Sequence, residues 1–144
     1  MKHHELDQLQ YLAQINQHFP QQIMSPEDRI RRWVEVLEGQ SHQVLSTLRE
    51  TETQPAAARA VMRSNNSAIT VAFNDPILRA SGLENDTYGA AKEFFQLSDG
   101  QLHHIVCYCH FGTTVSAAKT ARYIRTQHVD KPKGIWGRLR RMFA

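Results

Sequence analysis

Apolar residues recur at intervals of three and four along most of this chain, which is the spacing of one face of an α-helix. The clearest example begins after Ser25, a residue type suited to capping a helix, with Pro26 in the first helical position. Its predicted buried face comprises Ile30, Trp33, Val34 and Leu37. We therefore predict an all-α fold, a compact single-domain bundle of about six to eight short helices that ends in a basic amphipathic C-terminal segment.

The same spacing and capping signals place the remaining helices. Further helices are predicted at residues 6–19, 41–50, 55–63, 75–82, 85–96, 98–111 and 113–128. In 41–50 the predicted inward residues are Val44, Leu45 and Leu48. Residues 67–73 alternate as in a strand, but a strand with no partner would be unstable, so a helix is favoured there.

Size and composition describe a globular protein without a membrane span. The 144 residues are 41% hydrophobic and 22% charged, which is ordinary for one domain. No apolar run approaches the length of a transmembrane helix, and the first residues lack the pattern of a signal peptide. The only two cysteines, Cys107 and Cys109, are separated by one residue and would point to different sides of a helix, so they cannot form a relaxed disulfide with each other. We therefore expect free thiols and a cytoplasmic location.

Charge is divided unevenly along the chain. Residues 1–118 hold nine Lys or Arg against thirteen Asp or Glu, a net charge of −4. Residues 119–144 hold eight Lys or Arg and a single acid, Asp130, a net charge of +7. A basic end on a mildly acidic body indicates an anionic partner. The predicted division is an all-α domain at 1–130 and a linker with a basic amphipathic segment at 131–144.

The C-terminal segment combines large apolar residues with arginines. On a helix, its apolar members fall within an arc of about 120°, and the arginines flank or oppose that arc. The apolar set is Ile135, Trp136, Leu139, Met142 and Phe143, and the arginines are Arg138, Arg140 and Arg141. Such a segment can complete the core, lie in an anionic membrane interface or dock in the groove of a protein partner.

The favoured function is a non-enzymatic interaction, adaptor or regulatory domain. It would dock a protein partner or an anionic membrane surface through the basic C-terminal segment, peripherally in the latter case. No cofactor is expected, because the glycine spacing fits no phosphate-binding loop and no catalytic constellation stands out.

Residues 98–127 provide a second functional hypothesis. They read as a helix, a short turn containing Gly112 and a second helix, which is the outline of a helix-turn-helix. Lys119, Arg122 and Arg125 lie on the predicted outer side of the second helix, where they could contact nucleic acid. A DNA-binding regulator is therefore the first alternative.

The stretch "LHHIVCYCHFG" provides a third hypothesis, a metal site or a Cys/His enzyme centred on Cys107. At about 100° per residue, the core face holds Leu102, Ile105, Val106 and Cys109. A second stripe holds His103, Cys107 and His110, while His103 and His104 are predicted to be a half-exposed pair. Because about 10.5 Å of helix rise separates His103 from His110, the three cannot share one ion on a regular helix.

Overall fold

The computed structural model describes residues 24–108 and 112–130, and this part of the chain is mostly helical, as predicted. In chain order the elements are α1 (Pro26–Gly39), β1 (Val44–Ser46), a 3₁₀ turn (Arg49–Thr53), α2 (Ala56–Arg59), α3 (Ala68–Asn74), α4 (Pro76–Ala80), α5 (Tyr88–Phe95), α6 (Asp99–His103), a first π turn (His104–Tyr108), β2 (Thr114–Ser116), α7 (Ala117–Ile124) and a second π turn (Arg125–Val129). The predicted helix at 6–19, the segment 131–144, Cys109 and His110 lie outside the described residues.

Helix α1 carries the centre of the core. It begins as predicted, with the Ser25 hydroxyl accepting a hydrogen bond from the Asp28 amide at 3.1 Å. Trp33 is fully buried, stacks on Phe95 with ring centroids 4.3 Å apart, and donates its indole N–H to the Ala68 carbonyl at 2.9 Å. All four residues predicted for the buried face are buried: Ile30, Trp33, Val34 and Leu37.

Helix α7 packs against α1 through small side chains. Ala117, Ala121 and Ile124 are buried, as their spacing predicts, and alanines allow two helices to approach closely. The start of α7 lies beside the end of α1, because the Ala117 amide donates to the Gln43 carbonyl at 2.9 Å.

The predicted helix at 41–50 is wrong, because this stretch forms β1 and the 3₁₀ turn. Strand β1 pairs antiparallel with β2, with Leu45 opposite Val115. Leu45 and Leu48 are buried as predicted, whereas the Val44 side chain is 58% exposed. Successive residues of a strand point to opposite sides, so Val44 and Leu45 cannot both face the core. The pairing partner lies far along the chain, which local spacing does not reveal.

Asn66 closes the outer edge of β1. Its carbonyl accepts a hydrogen bond from the Ser46 amide at 2.7 Å, and its side-chain amide donates to the Val44 carbonyl at 2.8 Å. Those two backbone groups point away from β2, so the side chain and backbone of one residue take the place of a third strand.

Helix α3 confirms the helical interpretation of residues 67–73. Ser67 and Thr70 form a capping box, in which each side chain bonds the other residue's backbone amide. Asp75 then caps α4, accepting from the Leu78 amide at 3.1 Å. The same buried carboxylate receives two hydrogen bonds from Arg32, at 2.7 and 3.0 Å, so it joins α1 to the start of α4. Gly82, with a φ of 122°, ends this region as predicted.

The connection before α7 differs from the predicted short turn. It contains β2, and the cap of α7 is Ser116, whose hydroxyl accepts a hydrogen bond from the Lys119 amide at 3.1 Å. Residues 98–127 therefore depart from a simple helix-turn-helix hairpin. Within 24–108 and 112–130, none of the helices has the length and apolar content needed to cross a membrane.

Candidate functional site

The Cys/His stretch is buried on two sides, where a surface helix would be buried on one. Leu102, Ile105 and Val106 are buried, as predicted. His103 and Cys107 are each only 4% exposed, so the prediction of a half-exposed His103 is wrong. Positions 103 and 107 are four residues apart and share one side of the chain, and the 3₁₀ turn packs over that side.

His103 lies beside a group of polar side chains brought together from distant parts of the chain. Arg59 donates to the Asp99 carboxylate at 2.5 Å and to the Thr51 carbonyl at 2.6 Å. The Tyr88 hydroxyl donates to the Asp99 carbonyl at 2.7 Å and lies 3.0 Å from its carboxylate. We refer to Arg59, Tyr88, Asp99 and His103 as the buried polar cluster, in which Tyr88 and His103 are buried and Arg59 and Asp99 are half-buried.

Burial and neighbouring charges determine the protonation of the buried polar cluster. Burial lowers the pKa of His103 and the positive charge of Arg59 lowers it further, against smaller opposing effects of Asp99 and Glu52. Burial and the hydrogen bond to Asp99 raise the pKa of Tyr88. The imidazole is therefore mostly neutral at pH 7 and the phenol retains its proton.

Cys107 is shielded and protonated. Its thiol donates to the Glu52 carboxylate with an Sγ–Oε1 distance of 3.3 Å. Burial, followed by the hydrogen bond and the charge of Glu52, raises the pKa of Cys107 to about 11. A nucleophilic cysteine needs a thiolate near neutral pH, and this environment disfavours one.

The metal hypothesis named His103, Cys107 and His110. The structure brings His103 and Cys107 to the same side of the chain, whereas His110 lies outside the described residues. Among the residues that the structure describes, no group of three or more His, Cys, Asp or Glu side chains is arranged to hold an ion.

Sequence reasoning did not find the buried polar cluster as a unit. Arg59, Tyr88 and Asp99 belong to three separate helices, so no spacing within one element indicates their meeting. The available local signal was the capping box at Ser98 and Gln101, which the structure confirms and which fixes where Asp99 lies.

The outer side of α7 carries two of the three residues of the DNA-binding hypothesis, and the third begins the second π turn. Lys119 and Arg122 are exposed. Arg125 turns toward α1 instead and donates to the Glu38 carboxylate at 2.6 Å, a hydrogen bond that raises the pKa of Arg125. The structure thus separates Arg125 from the other two members of the predicted set.

Most arginines of the described residues are engaged with other side chains. Arg31, Arg32, Arg59, Arg63 and Arg125 form ion pairs, and Arg29 and Arg79 stack over aromatic rings. Within 24–108 and 112–130, Lys119 and Arg122 have no acidic group within 4.0 Å. We call these two residues the cationic face of α7.

The remaining predicted site residues lie in the segment that follows Asp130. All eight are outside the described residues: Ile135, Trp136, Arg138, Leu139, Arg140, Arg141, Met142 and Phe143. The part of the chain that leads to them ends in the second π turn, directly after α7.

Comparison of the chain with protein-family models, curated proteins and solved structures gives no match.

Proposed function

We propose that this protein is a non-enzymatic docking domain that binds an anionic membrane surface through its basic amphipathic C-terminal segment, residues 131–144. The observation that carries the proposal is the composition of this segment, in which five large apolar residues alternate with arginines after a lysine-containing linker. A helix with Trp, Phe and Leu on one face and basic residues on the other is typical of segments that lie in a membrane interface.

The charge of the segment favours a lipid surface over the groove of a protein partner. Residues 131–144 contain five Lys or Arg and no acid. Each such cation contributes about 1 kcal/mol of attraction near an anionic leaflet. A protein groove selects apolar anchors at helical spacing and does not require this excess of one sign. Membrane association would be peripheral.

The chemistry of the described residues supports a non-enzymatic role. The Cys107 thiol is buried and protonated, and the Asp99 carboxylate is taken up by Arg59 and Tyr88. The hydrogen bonds of Asp99 with Arg59 and Tyr88 join three helices, as the bonds of a structural network do.

Deleting residues 132–144 tests the proposal. The truncated protein is expected to keep its helical circular dichroism and its cooperative unfolding, and to lose sedimentation with vesicles that contain phosphatidylserine. Vesicles of phosphatidylcholine alone serve as the control for charge. If the truncated protein unfolds, the segment completes the core and the proposal fails. Binding of the full chain to a protein partner, with no affinity for vesicles, would favour the groove instead.

The DNA-binding alternative depends on Lys119, Arg122 and Arg125. Lys119 and Arg122 are exposed, which supports it, whereas Arg125 is bonded to Glu38. This alternative predicts duplex binding that falls steeply with salt and is lost in the double variant Arg122→Ala, Arg125→Ala. Unchanged DNA affinity in that variant would remove α7 as a nucleic-acid surface.

A further inference from the structure

We propose that the cationic face of α7, Lys119 and Arg122, contacts the same anionic lipid surface as the C-terminal segment. This inference rests on the proposed function and extends the docking surface from the segment onto the folded body. The occupant is the headgroup layer of a membrane that contains anionic lipid.

The two cations share one side of a well-anchored helix. They are three residues apart, which places them next to each other on a helix surface. Ala117, Ala121 and Ile124 hold the opposite side of α7 in the core, so the cationic face has a fixed orientation. A rigid element presents charges without the ordering cost that a free segment would incur.

The cationic face lacks the acidic partners that most described arginines have, and unlike the equally unpaired Arg49 and Lys92, its two cations are neighbours on one helix. Arg32 bonds the buried Asp75 carboxylate, Arg63 pairs with Asp86 at 3.2 Å, and the neighbouring Arg125 pairs with Glu38. Lys119 and Arg122 have no such acidic partner among the described residues, and two like charges at this spacing repel each other. An anionic surface would relieve that repulsion.

Chain continuity joins the cationic face to the C-terminal segment. Residues 117–129 contain no acid, and the single acid Asp130 separates them from the five cations of 131–144. The second π turn ends at Val129, so Asp130 alone separates it along the chain from the first residue of the C-terminal segment. A segment that binds a membrane at this position brings α7 near the same surface.

Four full-length proteins test the inference by sedimentation with vesicles of phosphatidylcholine and phosphatidylserine. The first is the unaltered chain. The second, the α7 variant, carries Lys119→Gln and Arg122→Gln, and the third, the triple variant, carries Arg138→Gln, Arg140→Gln and Arg141→Gln. The fourth is the control, which carries Arg49→Gln and Lys92→Gln. The control removes the same charge from two other elements. Each cation near the surface should raise the affinity for the vesicles about fivefold, so the α7 variant, which lacks two cations, should bind about thirtyfold more weakly. The control should change binding by no more than about twofold, because salt screens distant charges.

Each outcome separates the inference from the function on which it rests. Weaker binding of the α7 variant than of its control supports the inference. Equal weakening of binding in the α7 variant and in its control overturns the inference. The proposed function still stands in that case if the triple variant of the C-terminal segment loses binding. Loss of binding in the α7 variant alone, with the triple variant unchanged, would overturn both the proposed function and the shared surface, because the C-terminal segment would then not contact the lipid. Absence of vesicle binding by the unaltered chain overturns both, and salt-sensitive binding to duplex DNA that depends on Lys119 and Arg122 would then assign α7 to nucleic acid.

Discussion

The buried polar cluster and the cationic face of α7 use charged side chains in opposite ways. In the buried polar cluster, Asp99 bonds both Arg59 and Tyr88, so its charge is compensated inside the protein. On the cationic face, Lys119 and Arg122 have no acidic partner in the described part of the chain. The difference indicates that the first region stabilises the fold, whereas the second is available for binding.

Removing the acid of the buried polar cluster should have the largest effect on stability. We expect Asp99→Ala to lower the free energy of unfolding by about 2 kcal/mol, because it removes the carboxylate that pairs with the Arg59 guanidinium, while the Tyr88 hydroxyl keeps the backbone carbonyl of residue 99. Urea unfolding measures this change. The control Asp130→Ala removes an exposed acid outside the cluster and should change stability little. Equal small effects in both variants would mean that the cluster is not structural.

Adding a methyl group at Gly89 should disturb the contact between α5 and the end of α2. A methyl group at Gly89 would lie 2.8 Å from the Ala60 carbonyl oxygen, and the Gly89 amide donates to that oxygen at 2.9 Å. We expect Gly89→Ala to cost about 1–2 kcal/mol, because a backbone neighbour must shift.

Gly100→Ala is the matched control for Gly89→Ala. A methyl group at Gly100 meets nothing within 4 Å, so alanine should stabilise α6 by up to about 1 kcal/mol. Thermal unfolding of the two variants should therefore shift in opposite directions. A shift of the same sign in both would contradict the close contact between α5 and the end of α2.

Acid should weaken the protein through His103. Its pKa is lowered in the folded state, so below the ordinary pKa of about 6.5 the unfolded chain binds a proton that the folded protein does not. The free energy of unfolding therefore falls as the pH drops below that value, until His103 in the folded protein is protonated as well. We expect His103→Gln to flatten this part of the stability profile, whereas His42→Gln, which alters an exposed histidine, should not. A steeper profile in His103→Gln would contradict the burial of this imidazole.

The smallest effect on stability is expected for the cationic face itself. Lys119→Gln with Arg122→Gln should change the free energy of unfolding by less than about 0.5 kcal/mol, since both side chains are exposed and glutamine suits a helix. Urea unfolding beside the unaltered chain checks this. A large loss would show that these cations support the fold, and the contrast between the two regions would disappear.

Local signals predicted the helices whose caps and apolar spacing agree. Ser25, Ser98 and Asp75 cap α1, α6 and α4 as their residue types indicate. The core faces of α1 and α7 also follow from spacing alone. In these elements the information lies within a few residues, which is the range that a sequence pattern covers.

Contacts between distant residues account for what local patterns did not predict. Strand β1 depends on pairing with β2, and the buried polar cluster depends on helices separated along the chain. The 3₁₀ turn covers the side of the chain that carries His103, so this residue is buried although local spacing placed it at the surface. The cationic face was predicted because an exposed helix side needs no distant partner, but only the structure showed that Arg125 is drawn away by Glu38.

Asn66 has a consequence for how this protein can associate. By bonding the Val44 carbonyl and the Ser46 amide, it occupies the backbone groups that a strand from another molecule would need in order to extend the sheet at β1. Unpaired backbone groups at a strand edge beside an exposed valine are otherwise a site for edge-to-edge pairing. One asparagine therefore keeps this edge closed to β-addition.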